Sequence, residues 1–397
     1  MADAIEAVLI AVGAALAVPA LTLCLEIICG ARRYATLPVP DGARPRVAVL
    51  VPAHNEEQGL PRHLGFILSQ LCEGDRLVVI ADNCSDNTAH VARKQGAEVA
   101  IRSEPALRGK GYALDHGLQF LEQTGAPDIV VCIDADCQIG ANGIDRLALA
   151  CAGTRRPIQA AYIMNLPQAA GRFAAIVVFA WLVKDYLRPL GLHRMGLPCQ
   201  LMGTGMAFLW DDIRSVNLKN ANLVEDLTLG LDLALKGKFP RFCPGARVIS
   251  EVAAGGSPSF AQRARWEHGA IATAIRYVPL LVGRFCRTGD VRLLAMMLDL
   301  VVPPLALLLL LLAGYFVLAA GFYALGVSVA PLALAAANIA LFLVAVGVAW
   351  WRHGRDIVPL RMLALAPAYA LRKVPLYLRL LINRQTEWVR GKRGFSG

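Results

Sequence analysis

The chain has 397 residues, room for one catalytic domain of ordinary size plus membrane segments, and its formal net charge is +10. It is 56% apolar and only 18% charged, too hydrophobic for an ordinary soluble domain. The basic balance comes without basic runs interleaved with aromatics, which sets nucleic acid aside and points to anionic lipid or a phosphorylated substrate.

Ile5 to Ala31 is mostly apolar, with Glu6 and Glu26 near its ends. Asp3 and Glu6 stand where a signal peptide needs positive charge, so the segment reads as a retained anchor. Arg32 and Arg33 follow it and place the next domain in the cytoplasm of a plasma (inner) membrane protein. A Pro/Gly-containing linker leads to strands expected at Val47–Pro52, Leu77–Ala81 and Ile129–Ile133, with an apolar helical stretch around Leu64–Leu71. Short apolar strands alternating with helices predict a doubly wound α/β sheet, in which ligand residues gather at strand ends. Phe173–Val183 is apolar but too short to span, and reads equally well as a surface-lying or a core helix. Ser259–Phe285 is expected to be an amphipathic helical region broken near Pro279. Leu300 to Trp351 contains no Asp, Glu, Lys or Arg, enough for two crossings divided at Gly326–Pro331. Residues 357–382 are apolar but hold Arg361, Arg372, Lys373 and Arg379, which favours an amphipathic helix on the cytoplasmic surface. The spans then number three. The cysteines lack paired metal-type spacing, and Cys84, Cys132 and Cys137 read as reduced thiols.

Chemistry concentrates at a few points. Asp134-Ala135-Asp136 directly follows the third strand, and carboxylates at i and i+2 on a turn can share a hard cation with a diphosphate. Alone, such a triplet is a solvated turn. Upstream lie Val51-Pro52-Ala53-His54-Asn55-Glu56-Glu57 and Ile80-Ala81-Asp82-Asn83-Cys84-Ser85-Asp86-Asn87-Thr88, each ending a strand in polar residues. Glu56 and Asp82 there can hold a nucleobase edge. In Arg108-Gly109-Lys110-Gly111-Tyr112-Ala113-Leu114, glycines let the cations approach phosphates. Glu225-Asp226 precedes a helix expected at Leu227–Leu235, and Asp226 suits a general base for an acceptor hydroxyl. Gln262, Arg265 and Trp266 share one helical face with an amide, a guanidinium fitted to diphosphate and an indole fitted to a sugar ring.

Taken together and in this order, the motifs over roughly residues 46 to 270 resemble the membrane branch of the family 2 glycosyltransferases, which have a GT-A fold. That branch includes cellulose, chitin and hyaluronan synthases, bacterial poly-N-acetylglucosamine synthases and ceramide glucosyltransferase. The resemblance implies that Glu56 and Asp82 contact the base of a UDP-sugar donor and that Lys110 approaches the nucleotide. It places Asp134 near the ribose and diphosphate, and Asp136 on a Mg²⁺ or Mn²⁺ ion. Asp226 becomes the catalytic base, and Gly203, Thr204 and Gly205 lie in a loop beside the acceptor. Gln262 and Arg265 hold the diphosphate, Trp266 holds the acceptor sugar, and the Trp388–Arg393 tail is a gate. The chain departs from the family at Ala81, where many members have Asp, and at Val224, where they have Thr.

The expected organisation is an anchor at 1–33, a cytoplasmic catalytic domain at 46–255 and interface helices at 256–290. A membrane hairpin at 298–351, an amphipathic interface helix at 357–383 and a basic tail at 384–397 follow. The expected function is inverting transfer of a sugar to a glycan acceptor in exopolysaccharide or cell-surface polysaccharide synthesis, with membrane lipids and export proteins as partners. Single-sugar transfer to a ceramide, diacylglycerol, hopanoid or isoprenoid phosphate is the alternative, and a non-catalytic membrane scaffold ranks below both.

Overall fold

The structure, a computed structural model, describes residues 2–34, 39, 42–166, 173–219, 224–251 and 260–382. Among the described residues eight strands form one sheet: β1 (Val47–Ala53), β2 (Arg76–Asp82), β3 (Glu98–Arg102), β4 (Ile129–Cys132), β5 (Cys137–Ile139), β6 (Ile158–Asn165), β7 (Met206–Leu209) and β8 (Arg241–Glu251). Their order is β3-β2-β1-β4-β7-β6-β8-β5. β3, β2, β1 and β4 are parallel, whereas β7 runs antiparallel to both β4 and β6.

β1, β2 and β4 are as the apolar runs predict, because strands covered on both faces need no polar alternation, whereas the edge strand β3, with Glu98 and Arg102 at its ends, was not expected. Val47, Val49 and Val51 face the helices Leu60–Leu68 and Gly143–Thr154. Ala48 and Leu50 face the helices Lys110–Thr124 and Glu225–Leu235. Each fully buried Leu or Ile in these layers contributes about 2 kcal/mol. The chain leaves β1 toward β2 on one side and returns to β4 on the other, so the edge beyond β1 and β4 is a topological switch point. The mixed half, in which β6 and β8 are parallel while β7 and β5 run antiparallel to their neighbours, was not legible, since β6, β7 and β8 draw their pairing from across the sheet.

Phe173–Val183 belongs to the core. The helix Ala174–Leu182 continues through a π-helical turn, Val183–Leu187, into Arg188–Arg194. It packs with the N-terminal helix Ala2–Gly30 and the hairpin helices Leu305–Ala324 and Ala330–Ala349 around Leu23, Ile27, Phe179, Leu190, Leu308 and Phe342. The crossing is tight: a Cβ on Gly191 would lie 1.9 Å from the Glu26 carbonyl oxygen. Arg188 locks it, donating to Glu26 Oε2 at 2.6 Å and to Asp299 Oδ1 at 2.5 Å.

Among the described residues four helices are long and apolar enough to cross a membrane: Asp3–Gly30, Arg265–Thr288, Leu305–Ala324 and Ala330–Gly354, with mean hydropathies of 2.5, 1.2, 2.5 and 2.4. The second is the region expected to break near Pro279. It is instead one continuous helix, Phe260–Thr288. Its Tyr277 and Leu281 pack on Leu231, Phe239, Leu293 and Met296, while Arg276, Arg284 and Arg287 stay on its outer surface. Residues 357–382 do not form the single amphipathic helix expected. Pro359, Pro367 and Pro375 divide them into Leu360–Leu363, Ala366–Arg372 and Val374–Ile382, because proline cannot continue a preceding turn's hydrogen bonding. Each piece is too short to span a bilayer. The Trp388–Arg393 gate and the rest of the 384–397 tail lie outside the described residues.

Candidate active site

The polar rim is built at the ends of the parallel strands. Asn55 and Asn83, with φ of 54° and 51°, turn the chain out of β1 and β2, a conformation asparagine tolerates. The Asn55 side chain accepts from the Ser85 amide at 2.7 Å and so ties the two turns together. His54 Nδ1 lies 2.7 Å from the Asp82 carbonyl. Asp82 is buried, and its Oδ1 accepts from Arg102 Nη1 at 2.6 Å. Glu56 and Asp82 both line a cavity of about 1220 Å³ that opens beside this rim.

The floor of the cavity is acidic. Asp134 and Asp136 come from the turn after β4, and Glu225 and Asp226 from the first turn of the helix Glu225–Leu235. That helix starts two residues earlier than the apolar pattern predicts, so both carboxylates sit at its positive end. Lys110 ties the floor together. Its ammonium pairs with Asp134 and donates to the Gly203 carbonyl at 2.6 Å. Burial alone would lower the Lys110 ammonium, but Asp134, Glu225 and Asp226 outweigh it and hold the group above its ordinary value. Burial raises the Asp134 carboxyl; Lys110 opposes this, and Asp136 and Asp226 add to it. Glu225 is pushed up to about 7, by burial first and by Asp226 second, against Lys110 and Arg265.

Gly203 is the hinge of this arrangement. Its φ of +89° needs a glycine, and a Cβ there would lie 3.1 Å from Asp226 Oδ2 and 3.7 Å from Lys110 Nζ. Residues from four separate parts of the chain therefore converge within one small volume. Thr204 and Gly205 do not share the lining. Thr204 is fully buried, its hydroxyl accepting from the Asp134 amide at 3.1 Å, and a Cβ on Gly205 would come within 2.7 Å of Ala160 and Val248. They shape the wall from behind because β7 begins there, so of the expected acceptor loop only Gly203 reaches the cavity.

Arg265 and Trp266 line the same cavity, whereas the Gln262 side chain lies outside the described residues. Trp266 packs on Trp181 with ring centroids 5.5 Å apart, and Trp181 meets Tyr162 edge-on at 5.2 Å. Lys184 Nζ stands 5.4 Å from the Trp181 ring and donates to Asp185 Oδ1 at 2.7 Å. Sequence reasoning missed Tyr162, Trp181, Lys184 and Asp185, although a Trp-x-x-Lys-Asp run inside an apolar helix is a signal in itself. Beyond them the cavity runs between Val302, Pro303, Leu305, Leu309, Phe342, Val346 and Leu363, so its far wall comes from the hairpin and the helices after it.

The donor set fits a hard divalent cation. Carboxylate oxygens of Asp134 and Asp136 and the Cys137 sulfur lie within 4.8 Å of one another. Burial holds the Cys137 thiol well above its ordinary value, so it stays protonated, and it lies 3.5 Å from Asp136 Oδ1 as a donor. That leaves two oxygen ligands on a turn open to the cavity. Mg²⁺ and Mn²⁺ accept such ligands alongside water and phosphate oxygens. All ten cysteines are free thiols.

The sequence matches two profiles, glycosyl transferase family 2 over residues 48–152 and glycosyl transferase family group 2 over residues 129–351. It is 27% identical over 245 residues to a probable glycosyltransferase of Bacillus subtilis, covering 57% of this chain and 55% of that one. It is 33% identical over 119 residues to an uncharacterised glycosyltransferase of Mycobacterium tuberculosis, covering 28% and 50%. The chain thus spans about half the length of these curated relatives. A mannosyltransferase of Pyrobaculum calidifontis, solved with GDP-Man and Mn²⁺, shares the fold at a TM-score of 0.56 and 20% identity, over 96% of this chain and 99% of that one.

Proposed function

The chain belongs to glycosyl transferase family group 2, and on that premise we propose that it moves one sugar from a nucleoside-diphosphate donor to a membrane lipid. The carrying observation is a single cavity that has Asp134, Asp136 and Asp226 at one end and the apolar walls of the membrane hairpin at the other. A glycan threading toward export needs hydroxyl-bonding walls along its path. Val302, Leu305, Leu309, Phe342 and Val346 offer none, and they suit an acyl or isoprenoid tail. This reading takes the lipid acceptor over the polysaccharide acceptor that the sequence motifs put first. One matched relative, from Staphylococcus haemolyticus, is named a 4,4'-diaponeurosporenoate glycosyltransferase.

The mechanism is a single in-line displacement. Asp226 takes the proton of the acceptor hydroxyl as that oxygen bonds to the anomeric carbon. The bond from the anomeric carbon to the diphosphate breaks with its electrons leaving on the phosphate oxygen, and the centre inverts. Asp134 and Asp136 would hold Mg²⁺ or Mn²⁺, which supplies charge neutralisation at the diphosphate. Arg265 faces the same leaving group, and Lys110 keeps Asp134 in place and offsets the acidic floor. Glu56 and Asp82 are assigned to the base of the donor, a UDP-sugar by resemblance, and Gln262 to the diphosphate. Trp266 and Gly203 are assigned to the acceptor end.

Ala2–Gly30 and the hairpin are assigned as three spans with the catalytic domain in the cytoplasm. The helix Phe260–Thr288, with four arginines from Arg265 onward, is assigned to the membrane surface. The proposed unit boundaries follow this scheme: anchor 1–33, catalytic domain 46–255, interface region 256–290 and hairpin 298–351.

The deciding experiment gives the purified full chain labelled UDP- and GDP-sugars, Mn²⁺ and a total membrane lipid extract. One labelled product that partitions into organic solvent is the expected result. A water-soluble ladder of increasing length would sink the lipid reading and restore the polysaccharide one.

A further inference from the structure

Resting on the proposed place of Arg265 at the leaving diphosphate, we propose that Glu267 and Lys373 are a positioning pair that holds Arg265 over the cavity and ties it to the hairpin helices. The pair acts through the helix turn that carries Arg265 and is assigned no contact with the reacting atoms. It serves a lipid or a glycan acceptor alike.

Arg265, Trp266, Glu267 and Lys373 all line the cavity. Their helix, Phe260–Thr288, next joins a buried cluster at Tyr277, about three turns beyond Arg265. The Arg265 turn therefore needs supports of its own, and the three residues after it supply them. Trp266 packs on Trp181. Glu267 Oε1 accepts from Lys373 Nζ, and these side chains are only 12% and 14% exposed. His268 is buried, and its Nε2 donates to the Leu376 carbonyl at 3.2 Å.

Glu267 and His268 thus grip a single corner. Lys373 joins the helices Ala366–Arg372 and Val374–Ile382, and its carbonyl accepts from the Leu376 amide at 2.9 Å and the Tyr377 amide at 3.2 Å. Pro375 fixes the backbone inside that corner. Leu376 and Tyr377 are buried against Leu307 and Leu310 of the hairpin. The Lys373 ammonium also stands 5.2 Å from the Tyr369 ring, which packs on Phe173 at 5.6 Å. Contacts run unbroken from the hairpin through the corner to the Arg265 turn. The corner follows residue 351, where the match to family group 2 ends, so the pair is an addition of this chain to the shared motifs.

The charges explain why Arg265 needs holding. Glu225 and Asp226 act on its guanidinium, partly offsetting the burial that lowers it. They draw it toward the acidic floor, and the pair limits how far the turn can follow. An ion pair this far from solvent keeps one geometry, because either partner alone in the wall is costly. A shift of about 1 Å in a positioned group is enough to lose catalysis.

The test measures Mn²⁺-dependent binding of UDP and UMP to the full chain in detergent by calorimetry, with GDP and GMP in parallel. In the neutral pair Glu267→Gln/Lys373→Gln, affinity for the diphosphate should fall about tenfold, the worth of one hydrogen bond to a charged group. Affinity for the monophosphate should stay within about twofold, a split that a merely structural role would not produce. The reversed pair Glu267→Lys/Lys373→Glu should return the diphosphate to within about threefold of wild type. Unchanged diphosphate affinity in the neutral pair, an equal loss for both nucleotides, or no recovery in the reversed pair overturns the positioning role and leaves the proposed function standing. If the neutral pair does not fold, Lys373→Gln is compared with Lys373→Arg. The glutamine should weaken the diphosphate and the arginine should not, and equal affinity overturns the role. Failure of the wild-type chain to bind either diphosphate overturns the donor reading, and the pair with it.

Discussion

The two ends of the cavity are built on opposite rules. At the strand-end edge, Asp134, Asp136, Glu225 and Asp226 crowd around Lys110 and Arg265, and the geometry is fixed by hydrogen bonds to a rigid sheet. At the hairpin edge, Leu305, Leu309, Phe342 and Val346 enclose space without directing anything in it. Charge that must be met in one orientation suits a nucleoside diphosphate and its metal; non-directional apolar walls suit a tail of variable shape. The Trp181–Trp266 stack and the Lys184–Asp185 pair stand where the two regimes meet. A substitution at the charged end should act on chemistry or donor binding, and one at the apolar end on the acceptor alone.

The largest effect separates the ends most sharply. Asp226→Asn should lower kcat by about 10²–10⁴-fold while donor affinity stays near wild type, as measured by product formation alongside nucleotide-binding calorimetry. Near-normal turnover would remove Asp226 from the reaction. Asp136→Ala, or chelation of divalent metal, should cost about 10²-fold in turnover and abolish the Mn²⁺-dependent thermal shift given by a nucleotide-sugar. Mn²⁺ should restore the chelated enzyme and not the variant. A shift that persists in Asp136→Ala would place the ion elsewhere.

At the other end, Leu309→Trp should fill the apolar arm and raise the KM for the lipid about tenfold, with the KM for the donor unmoved. An equal rise in both would mean that the two ends are not independent. The smallest effect is a pH dependence of stability. Glu225 rises from an ordinary 4.5 to about 7 in the fold, so its contribution is complete below the unfolded value and is lost as pH climbs through the folded one. The melting temperature should therefore fall by a few degrees between about pH 5 and about pH 8, and Glu225→Gln should flatten that fall. An identical slope in the variant would assign the proton uptake to another group.

The charged end was largely legible beforehand and the apolar end was not. Glu56, Asp82, Lys110, Asp134, Asp136 and Asp226 were named from short polar motifs at strand ends, and all six line the cavity. Thr204 and Gly205 belong to a motif with equal local contrast, yet they face inward, since which side of a strand start meets the cavity is settled by sheet pairing. Asp185 and Trp181 sit inside an apolar helix with no local polar motif around it, and the pairs that lock it in place, Arg188–Glu26 and Arg188–Asp299, join residues more than a hundred positions apart.

The sequence by itself determined β1, β2 and β4, the hairpin and the kind of chemistry, because hydrophobic period and strand-end motifs are local and survive without tertiary context. Only the tertiary structure decided the mixed half of the sheet, the continuity of Phe260–Thr288 across Pro279 and the joining of an acidic floor to an apolar wall from the hairpin helices. Those features depend on which distant surfaces come to share one core, and that is a property of packing rather than of any window of residues.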